Sequence, residues 1–298
     1  MSSRACVPKF LVPVLLSLAA AIQAPASDFR QPQPIAPANE MPAAVRFDLY
    51  QGYFMVVHGS AGRFKNLNFF VDTGSTFPVL DSRVVKRLKL RGEEPANIII
   101  LGGKVAGEWV NLPSLEVGPV ERSNLDVISA DLSFFEQSLP VRIDGIIGLD
   151  VLRQSPFVVD YSASVIRFGA TPVLPVSVPL RLDNGLAVFD AEIDQKRVRL
   201  LLDTGASAMI VFSETTGQAA KMKIDRVRAP EPTGKFESKE VVLHSLQLGA
   251  EEFRKKSAFV TRNPQPAQID FDGLMSPAAL GIREIAVNLE RGTLGLSR

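Results

Sequence analysis

From about residue 46 onward, short apolar runs alternate with Gly, Asn and Asp turn residues, which is the pattern of strands and hairpins. Only two stretches carry apolar residues at helical spacing. Asp81 to Leu90, with Val84, Val85 and Leu88, predicts one short helix, and Leu149 to Gln154 predicts another. Two runs break the strand alternation. Phe69-Phe70-Val71 and Leu200-Leu201-Leu202 have no polar residue between their large side chains. Such runs predict strands buried on both faces. Each runs directly into Asp-Thr-Gly.

The two runs belong to a longer repeat. Phe69 to Gly74 returns as Leu200 to Gly205 at an offset of 131 residues. The same offset places Gly103-Lys104 on Gly234-Lys235, and Leu112 to Gly118 on Leu243 to Gly249. Further along the offset becomes 128, which pairs Asp144-Gly145-Ile146-Ile147-Gly148 with Asp272-Gly273-Leu274-Met275-Ser276. The chain is thus expected to hold two copies of one lobe, residues 46–169 and 178–298, joined by a proline-rich linker at 170–177. Two long copies do not make a solenoid, whose units are short and many.

Ahead of the first lobe lie two other segments. Arg4 and Lys9 precede an apolar run, Phe10 to Ile22, and then Ala24-Pro25-Ala26, a small-x-small cleavage pattern. Residues 1–26 are therefore expected to be a signal peptide, and 27–45 a Pro-, Ala- and Gln-rich leader. This predicts export to the periplasm or the outside of the cell, with no stable membrane insertion after cleavage. The only cysteine, Cys6, falls inside the signal. A mature chain without cysteine can have neither a disulfide nor thiolate chemistry. Lys+Arg of 33 against Asp+Glu of 32 gives no bulk charge that would draw nucleic acid.

Candidate chemistry centres on the repeated Asp-Thr-Gly. A strand buried on both faces would carry Asp72 to the floor of a cleft, and its copy would carry Asp203 there from the other lobe. The glycines allow a sharp turn or a close approach, and the threonine hydroxyls can bond to backbone across the lobe boundary. Two carboxyls that close share a proton and so offer one base and one acid to a single water. No metal and no cofactor is needed. The bland alternative is a pair of turn aspartates. His58 and His244 do not correspond in the repeat and have no third ligand nearby, which argues against a zinc site or a triad.

The motifs Asp72-Thr73-Gly74-Ser75 and Asp203-Thr204-Gly205-Ala206 resemble the catalytic loops of aspartic peptidases, in particular the retropepsin-like branch. Ile146-Ile147-Gly148 and its copy Leu274-Met275-Ser276 resemble the second signature of that family, two hydrophobics and a glycine packed behind the catalytic loop. Ile98 to Gly103 resembles the glycine-tipped flap hairpin, which implies that Leu101, Gly102 and Gly103 meet substrate. The resemblance implies an all-β, bilobal pepsin/retropepsin-like fold, with two duplicated β-barrel-like lobes related by a pseudo-two-fold axis. It also implies an endopeptidase acting on peptides or proteins as a monomer, since both halves sit on one chain.

Two departures from that pattern and one difference between the lobes shape further expectations. Ser276 stands where the signature has glycine, and its side chain would either displace the Asp203 loop or be tolerated. The copy of the flap, Ala229 to Gly234, holds two prolines and is expected to be a stiff loop. Ser75 can donate a hydrogen bond to Asp72 whereas Ala206 cannot do so for Asp203, which predicts Asp72 as the more ionised carboxyl. Two rivals to a general endopeptidase remain open: a peptide-binding pseudo-protease with a weak or inactive cleft, and an enzyme that processes its own leader.

Overall fold

A computed structural model describes residues 43–101, 103–213, 228–231, 234–264 and 270–298. The predicted signal peptide and almost all of the leader lie outside the described residues, as do Gly102 and the Pro232-Thr233 tip of the flap copy.

The first lobe opens with β1 (Ala44–Tyr50), β2 (Phe54–Ala61), β3 (Phe64–Val71), β4 (Val79–Asp81) and α1 (Ser82–Leu88). It continues through β5 (Pro95–Ile100), β6 (Gly103–Val117), β7 (Val120–Ala130), β8 (Gly145–Ile147), α2 (Leu149–Leu152), β9 (Phe157–Asp160) and β10 (Val165–Phe168). The second lobe follows the same plan among the described residues, with two strands in the place of β6. Its elements are β11 (Val176–Asp183), β12 (Leu186–Ile193), β13 (Lys196–Leu202), β14 (Met209–Phe212), β15 (Arg228–Glu231) and β16 (Gly234–Glu237). Then come β17 (Lys239–Leu248), β18 (Glu251–Thr261), β19 (Gly273–Met275), α3 (Pro277–Leu280), β20 (Glu284–Asn288) and β21 (Thr293–Ser297). Both predicted helices of the first lobe are present. Asp81 starts α1 because its carboxylate accepts the Arg83 N–H at 2.9 Å, and Lys89 ends it at φ 58°.

The duplication extends to hydrogen-bond register. β3 lies parallel to β8, with Phe69, Phe70 and Val71 opposite Gly145, Ile146 and Ile147. β13 lies parallel to β19 in the same way, with Leu200, Leu201 and Leu202 opposite Gly273, Leu274 and Met275. The flanks of each pair are covered, by β2 and β4 in one lobe and by β12 and β14 in the other. This explains the unbroken apolar runs: Phe69 to Val71 and Leu200 to Leu202 are buried on both faces.

The lobes are joined by six strands in the order β1, β10, β9, β20, β21, β11, all antiparallel. Exchanging each strand for its copy reverses that order, so the pseudo-two-fold passes between β9 and β20. β1 and β11 each leave this sheet to pair with the next strand of their own lobe. One apolar core runs through both lobes, and each lobe keeps a second, smaller cluster. Among the described residues no helix is long and apolar enough to cross a membrane.

Candidate active site

Asp72 and Asp203 leave the ends of β3 and β13 and are held there by the strands behind them. The Asp72 N–H donates to the Ile147 carbonyl at 3.1 Å, and the Asp203 N–H donates to the Met275 carbonyl at 3.0 Å. Ile146, Ile147, Leu274 and Met275 are fully buried, so each loop rests on an apolar floor. The carboxylates fold back onto their own loops. Oδ1 of Asp72 accepts the Gly74 N–H, and Oδ1 of Asp203 accepts the Gly205 N–H, both at 2.8 Å.

The two loops are locked together by the threonines. Thr73 Oγ1 donates to the Leu202 carbonyl at 2.8 Å and accepts the Thr204 N–H at 3.0 Å. Thr204 Oγ1 donates to the Val71 carbonyl at 3.2 Å and accepts the Thr73 N–H at 3.1 Å. Both hydroxyls are buried, and both are used as donor and acceptor.

Glycine is required at 74 and 205 by close approach. A β-carbon on Gly74 would lie 2.9 Å from Cγ of Asp203, and one on Gly205 would lie 2.6 Å from Cγ of Asp72. Each carboxyl therefore sits against the backbone of the opposite lobe. The Asp72 carboxyl is held well above the usual carboxylate range, first by burial, then by the charge of Asp203 and by a hydrogen bond shared with it. The N–H groups of Gly74 and Gly205 pull it partly back.

Two expectations need correction. The Ser75 hydroxyl does not donate to the Asp72 carboxylate; only the Ser75 backbone N–H reaches that residue, at the Asp72 carbonyl, 3.1 Å away. The hydroxyl turns the other way and donates to the Phe77 carbonyl at 2.8 Å. That removes the expected reason for Asp72 to be the more ionised partner, and burial pushes Asp72 toward its protonated form instead. Where a stiff loop was expected at the copy of the flap, β15 and β16 pair as an antiparallel ribbon apart from the main sheet, with residues 232–233 outside the described residues. Pro230 sits within β15, which among the described residues pairs only with β16.

Ser276 leaves the Asp203 loop in place. It is fully buried, donates to the Ala206 carbonyl at 2.6 Å and accepts the Ala279 N–H at 3.3 Å. In the first lobe Gly148 meets a tighter limit, since a β-carbon there would lie 2.3 Å from the Ser75 carbonyl oxygen.

β5 and β6 form the expected hairpin, with Ile100 opposite Gly103. Its tip residue Leu101 packs into a cluster of the second lobe that includes Leu186, Val188, Leu201 and Ile210. Leu101 is 8% exposed, and Asp72 and Asp203 are 0% exposed. Trp109 stands edge-on to Phe77 with ring centroids 5.0 Å apart, so it supports the segment behind Ser75.

Sequence reading passed over two residues of this region. Pro277 follows Ser276 and removes a backbone donor that the first lobe uses. Asp150, beside Gly148, has its carboxyl pushed up to about 7 by burial, against the pull of Arg122 and Arg153. Proline at 277 could have been noticed by aligning it with Leu149. The depth of Asp150 has no signal in its neighbours.

Two duplicated β lobes that meet through paired Asp-Thr-Gly loops are the architecture of the acid proteases. The aspartyl protease family model matches residues 56–151 and again residues 189–282, and the chain belongs to that family. No curated protein matches the sequence.

Proposed function

We propose that this chain is an endopeptidase in which Asp72 and Asp203 jointly activate one water. The observation that carries the reading is the contact of the two carboxyls, each pressed against the glycine of the other lobe. Burial in a shared site favours a single proton over the pair. The ionised carboxylate takes a proton from water as the water oxygen attacks the scissile carbonyl carbon. The protonated partner gives its proton to the carbonyl oxygen, which yields a neutral tetrahedral diol. As the diol collapses, one of its hydroxyls returns a proton to the ionised carboxylate, the other carboxyl passes the proton it took from water to the departing amine nitrogen, and the C–N bond breaks, which restores the single-proton dyad. Activity is lost as pH rises through the raised pKa, because both carboxyls then ionise and no acid remains.

The hairpin carrying Leu101, Gly102 and Gly103 acts as the lid of this site. Both carboxyls are fully buried, so the site has to open before a peptide can enter. Ser276 was the sequence feature that favoured an inactive pseudo-protease, and its hydroxyl is accommodated by a bond to the loop. Export, with removal of residues 1–26, belongs to the same reading, as does action as a single chain on peptide or protein substrates.

Digestion of a mixed peptide library by the purified mature chain between pH 3 and 8 tests the proposal. Cleavage is expected to fall at least about a thousandfold in Asp72→Asn and in Asp203→Asn, because either change removes the acid–base pairing. Turnover that survives either substitution refutes the dyad.

A further inference from the structure

The two candidate catalytic loops are gripped at both ends, but by different donors. In the first lobe the far end is the Ser75 carbonyl, which accepts the Leu149 N–H at 2.9 Å. The residue that corresponds to Leu149 is Pro277, which has no N–H. The Ala206 carbonyl would be left without that donor. The Ser276 hydroxyl fills the place, at 2.6 Å.

The backbone records the exchange. Gly148 has ψ −175°, which turns the following N–H toward Ser75. Ser276 has ψ 116°, which turns the following peptide away and leaves the space for a side chain. Proline suits the new arrangement because it sits at the first position of α3, where a missing N–H disturbs no helical bond. The same hydroxyl then caps α3 through Ala279 N–H. Ser276 is 0% exposed, so water cannot replace its hydroxyl at the Ala206 carbonyl.

We infer that Ser276 and Pro277 form a coupled pair that positions Asp203, the serine hydroxyl supplying the hydrogen bond that the proline removes. The pair can be reverted to the first lobe's arrangement only as a unit. This rests on the dyad reading for its catalytic consequence and on geometry alone for the coupling.

The test is a cycle of Ser276→Gly, Pro277→Ala and the double variant, read by urea unfolding and by the pH dependence of kcat. Alanine restores an N–H at 277 without added bulk, and glycine at 276 frees the backbone to turn it toward Ala206. Ser276→Gly alone is expected to lower kcat roughly ten- to a hundredfold with KM little changed, and to move the alkaline limb of the profile. It is also expected to unfold at lower urea. Adding Pro277→Ala is expected to recover most of both losses. A double variant that unfolds no later than Ser276→Gly overturns the pairing, whether or not peptides are cleaved. Recovery of stability without recovery of kcat and of the pH profile overturns the positioning role. If the wild-type chain cleaves nothing while the double variant regains stability, the peptidase reading falls and the pairing stands.

Discussion

Replacing Thr73 by valine keeps the shape of the side chain and deletes two buried hydrogen bonds. The Leu202 carbonyl loses its donor at 2.8 Å, and the Thr204 N–H loses its acceptor at 3.0 Å. Both partners stay buried, and each unsatisfied group costs about 1–3 kcal/mol. The single variant is therefore expected to lose about 2–6 kcal/mol, a large share of the roughly 5–15 kcal/mol that holds a typical domain folded. Thr204→Val removes the mirror pair, to the Val71 carbonyl and from the Thr73 N–H, and its cost should match within about 1 kcal/mol if the pseudo-symmetry is energetic as well as geometric. The double variant should cost less than the sum, because loops parted by the first change no longer present good geometry to the second. Urea unfolding followed by circular dichroism and by the fluorescence of Trp109, the only tryptophan, measures all three. A single-variant loss below about 0.5 kcal/mol would show that the threonine bonds do not lock the two loops to each other, since buried pairs of this kind are worth more.

Two more outcomes can be checked. Asp150 has an ordinary carboxyl pKa of 3.8 when unfolded and about 7 when folded, so the folded state binds the extra proton between those values. Its contribution to stability falls as pH rises through that window, by at most about 4 kcal/mol, and then levels. Asp150→Asn is expected to remove this slope, so the variant gains on wild type between pH 4.5 and 7.5 in paired urea titrations, and an unchanged difference would refute the burial argument. For the hairpin, Leu101→Cys in a Cys6→Ser background should react with a maleimide at least roughly tenfold more slowly than Val242→Cys, which sits at a 49% exposed position. Equal rates would mean that the tip is not seated on the second lobe.

Much of this molecule was readable from residue patterns because duplication gives every local signal a second witness. The apolar triplets before Asp72 and Asp203 announced strands buried on both faces, and β3 and β13 are that. The threonine hydroxyls were expected to cross between lobes, and they do. What failed depended on where a rotatable group points. Nothing in the order of residues says that Ser75 faces Phe77 and not Asp72, since a hydroxyl turns to whichever acceptor the fold brings near. Ser276 read as a defect because it was compared with Gly148 alone, when the unit that had changed included Pro277. Leu101 gave no hint of its seat among Leu186, Val188 and Leu201, because a contact between lobes has no local periodicity.

The covalent join between the lobes has a consequence for how freely they can diverge. Were the halves separate molecules, diluting them would pull the pair apart, and any change in one would appear in both. On a single strand of polypeptide each half always finds the same neighbour, at a local concentration that dilution does not alter. Ser276-Pro277 on one side and Gly148-Leu149 on the other are the visible result: two solutions to one bonding problem, kept in the same molecule because neither half ever has to pair with its own twin.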